Sequence, residues 1–209
     1  MVFANRREAA RVLAEKLSPF CKGNKPLVLG IPRGGVVMAD IIARFLEGEL
    51  DVILVRKLRD PYQEEVAIGS IDESGIVDLN RYGVMLNDKE YLEKEVRDQL
   101  EVLKERRRQY TPIRPPIDPA GRKVIVVDDG LATGSTMLSA LRSIRQGNPS
   151  ELCVATAVAP SDIVQEVESL ADRVICLKEP RLFTAVGQVF RDFGQVEDEE
   201  VMRILKEWG

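Results

Sequence analysis

The sequence predicts an α/β fold, a doubly wound and mainly parallel sheet with a helical insertion and a small C-terminal hood. Three observations carry this. Leu27, Val28, Leu29 and Gly30 read as a short buried strand, and a largely apolar helix over 36–46 and a strand over 51–57 (DVILVRK) follow it. KVIVV at 123–127 is apolar on both faces, as a central parallel strand covered by helices on either side must be. After it the alternation repeats: helix to about 146, strand over 152–159, a helix opened by Ser161 and Asp162, and a strand over 173–177.

The remaining elements follow from local signals. Asn5 with Glu8 reads as a capping pair, and Ala10, Leu13, Ala14 and Leu17 then share one helical stripe that Pro19 and Gly23 close. Gly48 stops the second helix. A third strand is expected over 67–71, after the polar loop LRDPYQEE at 58–65. Leu92, Val96, Leu100 and Leu103 fall at helical spacing within a long helix over 88–110. The Pro-rich stretch 111–121 ends it as a stiff connector, and a last helix is expected over 198–207. The expected organisation is one domain over 1–209, with a core over about 27–80 and 122–177, the insertion at 88–110 and a C-terminal cap over 178–209.

Composition narrows the chemistry. The 209 residues hold 30 Lys and Arg against 34 Asp and Glu, a net charge of -4, which argues against coating nucleic acid while leaving room for a local anion site. There is no histidine, so Ser-His-Asp, Cys-His and His-metal mechanisms are excluded. Three cysteines without CxxC spacing, two of them in apolar runs, fit reduced thiols and a cytoplasmic setting. No apolar stretch reaches bilayer length, and MVFANRREAA lacks the core of a signal peptide.

The most informative segment is VIVVDDGLATGST, residues 124–136. Asp128 and Asp129 stand where a buried strand ends, at the edge where open α/β sheets bind ligands. A turn rich in Gly, Thr and Ser follows and opens a helix, so its N–H groups and the helix dipole favour a phosphate. Carboxylates for sugar hydroxyls beside donors for a phosphate imply a ribose 5-phosphate.

VIVVDDGLATGST closely resembles the 5-phosphoribosyl-1-pyrophosphate (PRPP) signature of the type I phosphoribosyltransferases, and the whole chain resembles their stand-alone bacterial and archaeal members, whose acceptor is not established. The resemblance implies that Asp128 and Asp129 hold the ribose hydroxyls and attend Mg²⁺, and that Ala132, Thr133, Gly134, Ser135 and Thr136 cradle the 5′-phosphate. GIPRGG at 30–35 lies where the family places its pyrophosphate loop. Arg33 then offers a guanidinium fork and Gly34 and Gly35 allow close backbone approach, with a non-proline cis peptide expected at Pro32–Arg33 or Arg33–Gly34. Arg56 and Lys57 are the next cations at that edge, or else a solvated strand end.

VRK…AIGSIDESG resembles the catalytic loop of adenine phosphoribosyltransferases. Glu73 would match the acid that handles the ring proton of the base, although Ser74 replaces an aromatic residue. A plain hairpin acid is the other reading of Glu73. Tyr62, Glu64 and Glu65 would line a closing lid or lie in solvent. Ala132 stands where hypoxanthine-guanine enzymes carry Asp, which lowers the 6-oxopurine reading. Arg106, Arg107 and Arg108 are expected in solvent at a helix end. Phe183, Phe190 and Phe193 would form either a base-stacking hood or the packing of a C-terminal cap.

The resemblance thus implies a PRPP-dependent pentosyltransferase. It would move phosphoribosyl to a nucleobase or related nitrogen nucleophile and release pyrophosphate, with Mg²⁺ as cofactor and a homodimer as the working form. The alternative is a non-catalytic protein that senses PRPP or nucleotide on the same fold.

Overall fold

A computed structural model describes residues 2–63, 66–86, 88–110, 112 and 116–209. Helix α1 (Arg6–Cys21) begins where Asn5 Oδ1 accepts the N–H of Glu8 at 3.1 Å, the expected cap. Strand β1 (Leu27–Gly30), helix α2 (Gly34–Leu46) and strand β2 (Glu49–Val52) form the first βαβ unit. A hairpin region follows: β3 (Val55–Arg59), β4 (Ala67–Asp72), β5 (Val77–Leu79) and the short α3 (Arg81–Met85). The insertion helix α4 (Lys89–Tyr110) leads to β6 (Lys123–Asp128), α5 (Ser135–Gln146), β7 (Glu151–Thr156), α6 (Ser161–Glu168), β8 (Arg173–Cys176) and finally α7 (Asp198–Lys206).

Five strands form one parallel sheet in the order β2-β1-β6-β7-β8. Its two faces are both apolar, as 123–127 predicts. Val28, Ile125 and Val127 join the core under α1 and α2, while Leu27, Leu29, Val124 and Val126 join the core under α5 and α6. Strand order reverses between β1 and β6, so the crevice at the carboxyl ends of these two strands is the switch point of the sheet.

DVILVRK is not one strand. The Ile53 N–H still donates to Gly30 O at 3.2 Å, and the chain then leaves the parallel sheet. Val55–Arg59 pairs antiparallel with β4 in a separate sheet of order β3-β4-β5. The switch falls inside an apolar run without Gly or Pro, so no turn residue marks it. Helix α4 packs on this hairpin through buried Leu103 and half-buried Val96 and Leu100.

The hood has two sources rather than one. Phe3 bridges Phe190, its N–H donating to Val189 O at 2.8 Å and its carbonyl accepting from Arg191 at 2.8 Å. The N-terminal segment is thereby tied to the C-terminal one, just before α1. All three cysteines are free thiols. Among the described residues, no helix is long and apolar enough to cross a membrane.

Candidate functional site

Asp128 ends β6 and Asp129 follows it, at the carboxyl edge the sequence predicts. The Asp129 N–H donates to Asp128 Oδ1 at 2.8 Å. Asp129 Oδ2 accepts from Arg6 Nε at 2.7 Å, with the two side chains only 14% and 13% exposed. Burial pushes the Asp128 carboxyl well above its ordinary range, and the Asp129 charge adds to this. Burial raises Asp129 too, against the downward pull of Arg6. Two carboxylates so placed are short of solvation, and hydroxyl donors or a cation would relieve them.

The turn after the acids is held by Leu131, a buried residue whose N–H donates to Val158 O at 2.8 Å. Gly134 is left-handed (φ 68°), and a Cβ there would stand 2.7 Å from Ile163 Cγ2, so the position admits only glycine without strain. Helix α5 starts at once. The N–H groups of residues 132–137 have no partner among the described residues. Thr133 Oγ1 and Ser135 Oγ lie 3.0 Å apart, Ala132 and Thr133 are exposed and Thr136 is half-buried. Unspent N–H groups, hydroxyls and a helix N-terminus are the groups that would suit an anion.

The 31–35 loop lies against these acids. Ile31 extends β1 with an N–H bond to Val127 O at 2.9 Å, and the Pro32–Arg33 peptide is cis, as the resemblance implies. A Cβ on Gly34 would overlap Asp129 Oδ2, and one on Gly35 would overlap the Val127 carbonyl oxygen. Both glycines are therefore needed for close approach rather than for an unusual φ. Arg33 reaches Glu197 at 3.3 Å across the opening. Arg6, Arg33, Gly34, Asp128, Asp129 and Phe193 line one crevice of about 460 Å³.

Three predicted residues lie elsewhere. Arg56 donates from Nε to Gln99 Oε1 at 2.6 Å under α4, and burial, then Arg106 and Arg59, lower its pKa from the ordinary value. Lys57 is exposed on the opposite face of β3. Glu73 pairs with Arg107, whose Nη2 is 2.5 Å from Oε1, and lines a separate cavity of about 380 Å³ with Asp51. Arg107 is thus not in solvent, where a helix-end cation is expected; its side chain is 12% exposed between two carboxylates. Tyr62 is exposed, and Glu64 and Glu65 lie outside the described residues.

Arg6 and the 194–196 segment line the crevice although the sequence does not single them out. Phe190 belongs to the core, whereas Phe193 stacks on it (centroids 5.0 Å apart) and faces the crevice with Arg6 over its ring. Phe183 is half-buried against the core. The sequence holds one clue to Arg6, a cation in the first turn of a helix, where the dipole disfavours it.

Among the described residues, no cluster of three or more carboxylate or thiolate side chains forms a closed cation cage. The acid pair still fits Mg²⁺, which binds through one or two carboxylates and takes its other oxygens from phosphate and water.

Comparison with known proteins agrees with this geometry. Residues 3–192 match the family model of the phosphoribosyl transferase domain. Proteins of two Mycobacterium tuberculosis strains, each named "Putative phosphoribosyl transferase" (MT0597 and Rv0571c), are 40% identical over 207 residues, which is 98% of this chain and 46% of theirs. The chain spans about half the length of these curated relatives. The crystal structure of TT1426 from Thermus thermophilus is 45% identical, with a TM-score of 0.90 over 100% of this chain and 99% of that one. A parallel sheet with paired acids and a phosphate-ready turn at its switch point, joined to a match over most of the sequence, places the chain in the phosphoribosyl transferase domain family.

Proposed function

We propose that the chain is a PRPP-dependent transferase, moving 5-phosphoribosyl to a nucleobase or related nitrogen nucleophile with release of pyrophosphate. One observation carries this. Asp128 and Asp129 line one crevice with Arg33 and Gly34 of the 32–35 loop, and the turn whose N–H groups at 132–137 are unpartnered among the described residues follows Asp129 directly in the chain. On PRPP the ribose hydroxyls likewise lie between the 5-phosphate and the diphosphate.

Asp128 and Asp129 accept the ribose hydroxyls, and residues 132–136 hold the 5-phosphate through N–H groups and hydroxyls. Arg33 and the backbone at Gly34 and Gly35 meet the diphosphate. The anomeric C–O bond breaks with its electron pair on the diphosphate. The acceptor nitrogen supplies the pair for the new C–N bond, and its proton passes to solvent. The protein stabilises the leaving charge and fixes the sugar, so the absence of histidine is no obstacle. Mg²⁺, attended by Asp128 and Asp129, would supply further neutralisation of the diphosphate.

The free thiols support a cytoplasmic setting, and the exposed apolar side chains of Tyr82, Val84 and Met85 support self-association as a dimer. The test is a screen of bases and amines with PRPP and Mg²⁺, following pyrophosphate release and PRPP binding. Asp128→Asn with Asp129→Asn should lose PRPP binding while remaining folded. Unchanged PRPP affinity in that folded variant would refute the assignment.

A further inference from the structure

Arg6 occupies a place that helix electrostatics disfavours. It is the first residue of α1, where aligned peptide dipoles already present positive charge. Its side chain is nearly buried and runs to the floor of the crevice. Nε donates to Asp129 Oδ2 at 2.7 Å and Nη1 to Gly194 O at 2.7 Å. The guanidinium lies 3.9 Å from the centroid of the Phe193 ring. Nη2 has no partner among the described residues. A Cβ on Gly34 would stand 2.9 Å from Arg6 Nε, so the guanidinium rests directly against the backbone of the 32–35 loop.

We infer that Arg6 is a second diphosphate-binding cation of the crevice, acting with Arg33, and that Asp129 and Phe193 hold its guanidinium in position before the ligand arrives. This rests on the PRPP reading of the site. Two arginines, Arg6 and Arg33, balance two acids, Asp128 and Asp129, so the crevice by itself has no surplus of positive charge for an incoming polyanion. Arg33 is further shared with Glu197. A diphosphate on the 32–35 loop therefore needs a second donor fork, and the unspent face of Arg6 is beside it. A guanidinium has five N–H donors in a fixed plane, which suits two phosphate oxygens better than an ammonium does.

The exchange is chemically balanced. When a ribose hydroxyl donates to Asp129, that carboxylate keeps a hydrogen-bond donor while Arg6 turns toward phosphate oxygen. The Nη1 bond to Gly194 and the stack on Phe193 make the hood segment follow the guanidinium, so diphosphate binding and hood position become linked. A mere tie between α1 and the hood would require neither the unspent Nη2 nor contact with the loop.

The test is calorimetric titration of the full chain with two probes, inorganic diphosphate with Mg²⁺ and ribose 5-phosphate, for wild type, Arg6→Gln and Arg6→Lys. Arg6→Gln should weaken diphosphate at least about tenfold and ribose 5-phosphate, which Arg6 affects only through Asp129, by a clearly smaller factor. Arg6→Lys, which retains the charge but not the fork, should lose about threefold or more for diphosphate alone. It decides the matter if Arg6→Gln does not fold. Unchanged diphosphate affinity, or an equal loss for both probes, overturns the inference while leaving the PRPP site intact. A wild type that binds neither probe overturns the PRPP reading, and this inference with it.

Discussion

Arg107 is clamped between Glu73 and Asp51: its Nη2 lies 2.5 Å from Glu73 Oε1 and its Nη1 lies 3.1 Å from Asp51 Oδ1. Asp51 is on β2, the edge strand of the parallel sheet, and Glu73 is in the hairpin turn, so one side chain of α4 joins three parts of the fold. Burial pushes the Glu73 carboxyl up from its ordinary range even against Arg107.

Arg107→Met should therefore cost about 3–5 kcal/mol, because it leaves two largely buried carboxylates without their cation. Urea denaturation measures this. Glu73→Gln removes one charge from the cluster and should lower stability less, with turnover changed by no more than a few-fold. A loss of about a hundredfold or more in kcat with stability intact would instead give Glu73 the proton-handling role that the sequence resemblance implies.

Asp128→Asn should raise the melting temperature of the ligand-free protein at neutral pH and weaken PRPP binding. The folded-state pKa of Asp128 is raised, first by burial and then by Asp129. Its contribution to stability is thus fully present below the unfolded value of about 3.9 and is lost as pH rises through the folded value. The gap between variant and wild type should close as pH falls toward about 4, which calorimetry in chelator reads directly.

Gly34→Ala and Gly35→Ala should separate function from folding. The new methyl at 34 meets the Asp129 and Arg6 side chains, which can move, so diphosphate binding should suffer more than stability. At 35 it meets the Val127 carbonyl in the central sheet, which cannot, and about 1–3 kcal/mol of stability should be lost. Denaturation and diphosphate titration of both variants test the contrast.

Tyr110→Phe should cost about 1–2 kcal/mol, since the hydroxyl donates to Asp198 Oδ1 at 2.5 Å and joins the end of α4 to the first turn of α7. The tyrosine pKa is raised, by burial first and by Asp198 next. Its stabilising effect holds below the ordinary value of about 10 and is lost above it. The difference between wild type and variant should accordingly stay constant up to about pH 9 and shrink as pH rises above about 10 in thermal melts.

The local parts of this protein were legible in its sequence. The apolar 123–127 run, the Asp128–Asp129 pair, the Gly-Ser-Thr turn and IPRGG each set their local structure within a few consecutive residues. Backbone geometry and helix dipoles act over that same range, so the parallel core and the turn that opens α5 could be read residue by residue. Its long-range pairings were not. DVILVRK has apolar neighbours directly on both sides of Leu54 and no Gly or Pro, and only competition between the β1 edge and the β4 hairpin decides where the chain changes sheets. Arg107 has the look of a solvated helix end until folding brings Glu73 and Asp51, 34 and 56 residues away in sequence, around it. Arg6 lies 123 residues before Asp129. An ion pair of that span leaves no periodicity or motif behind, because it forms only after the core has set the distance between its partners.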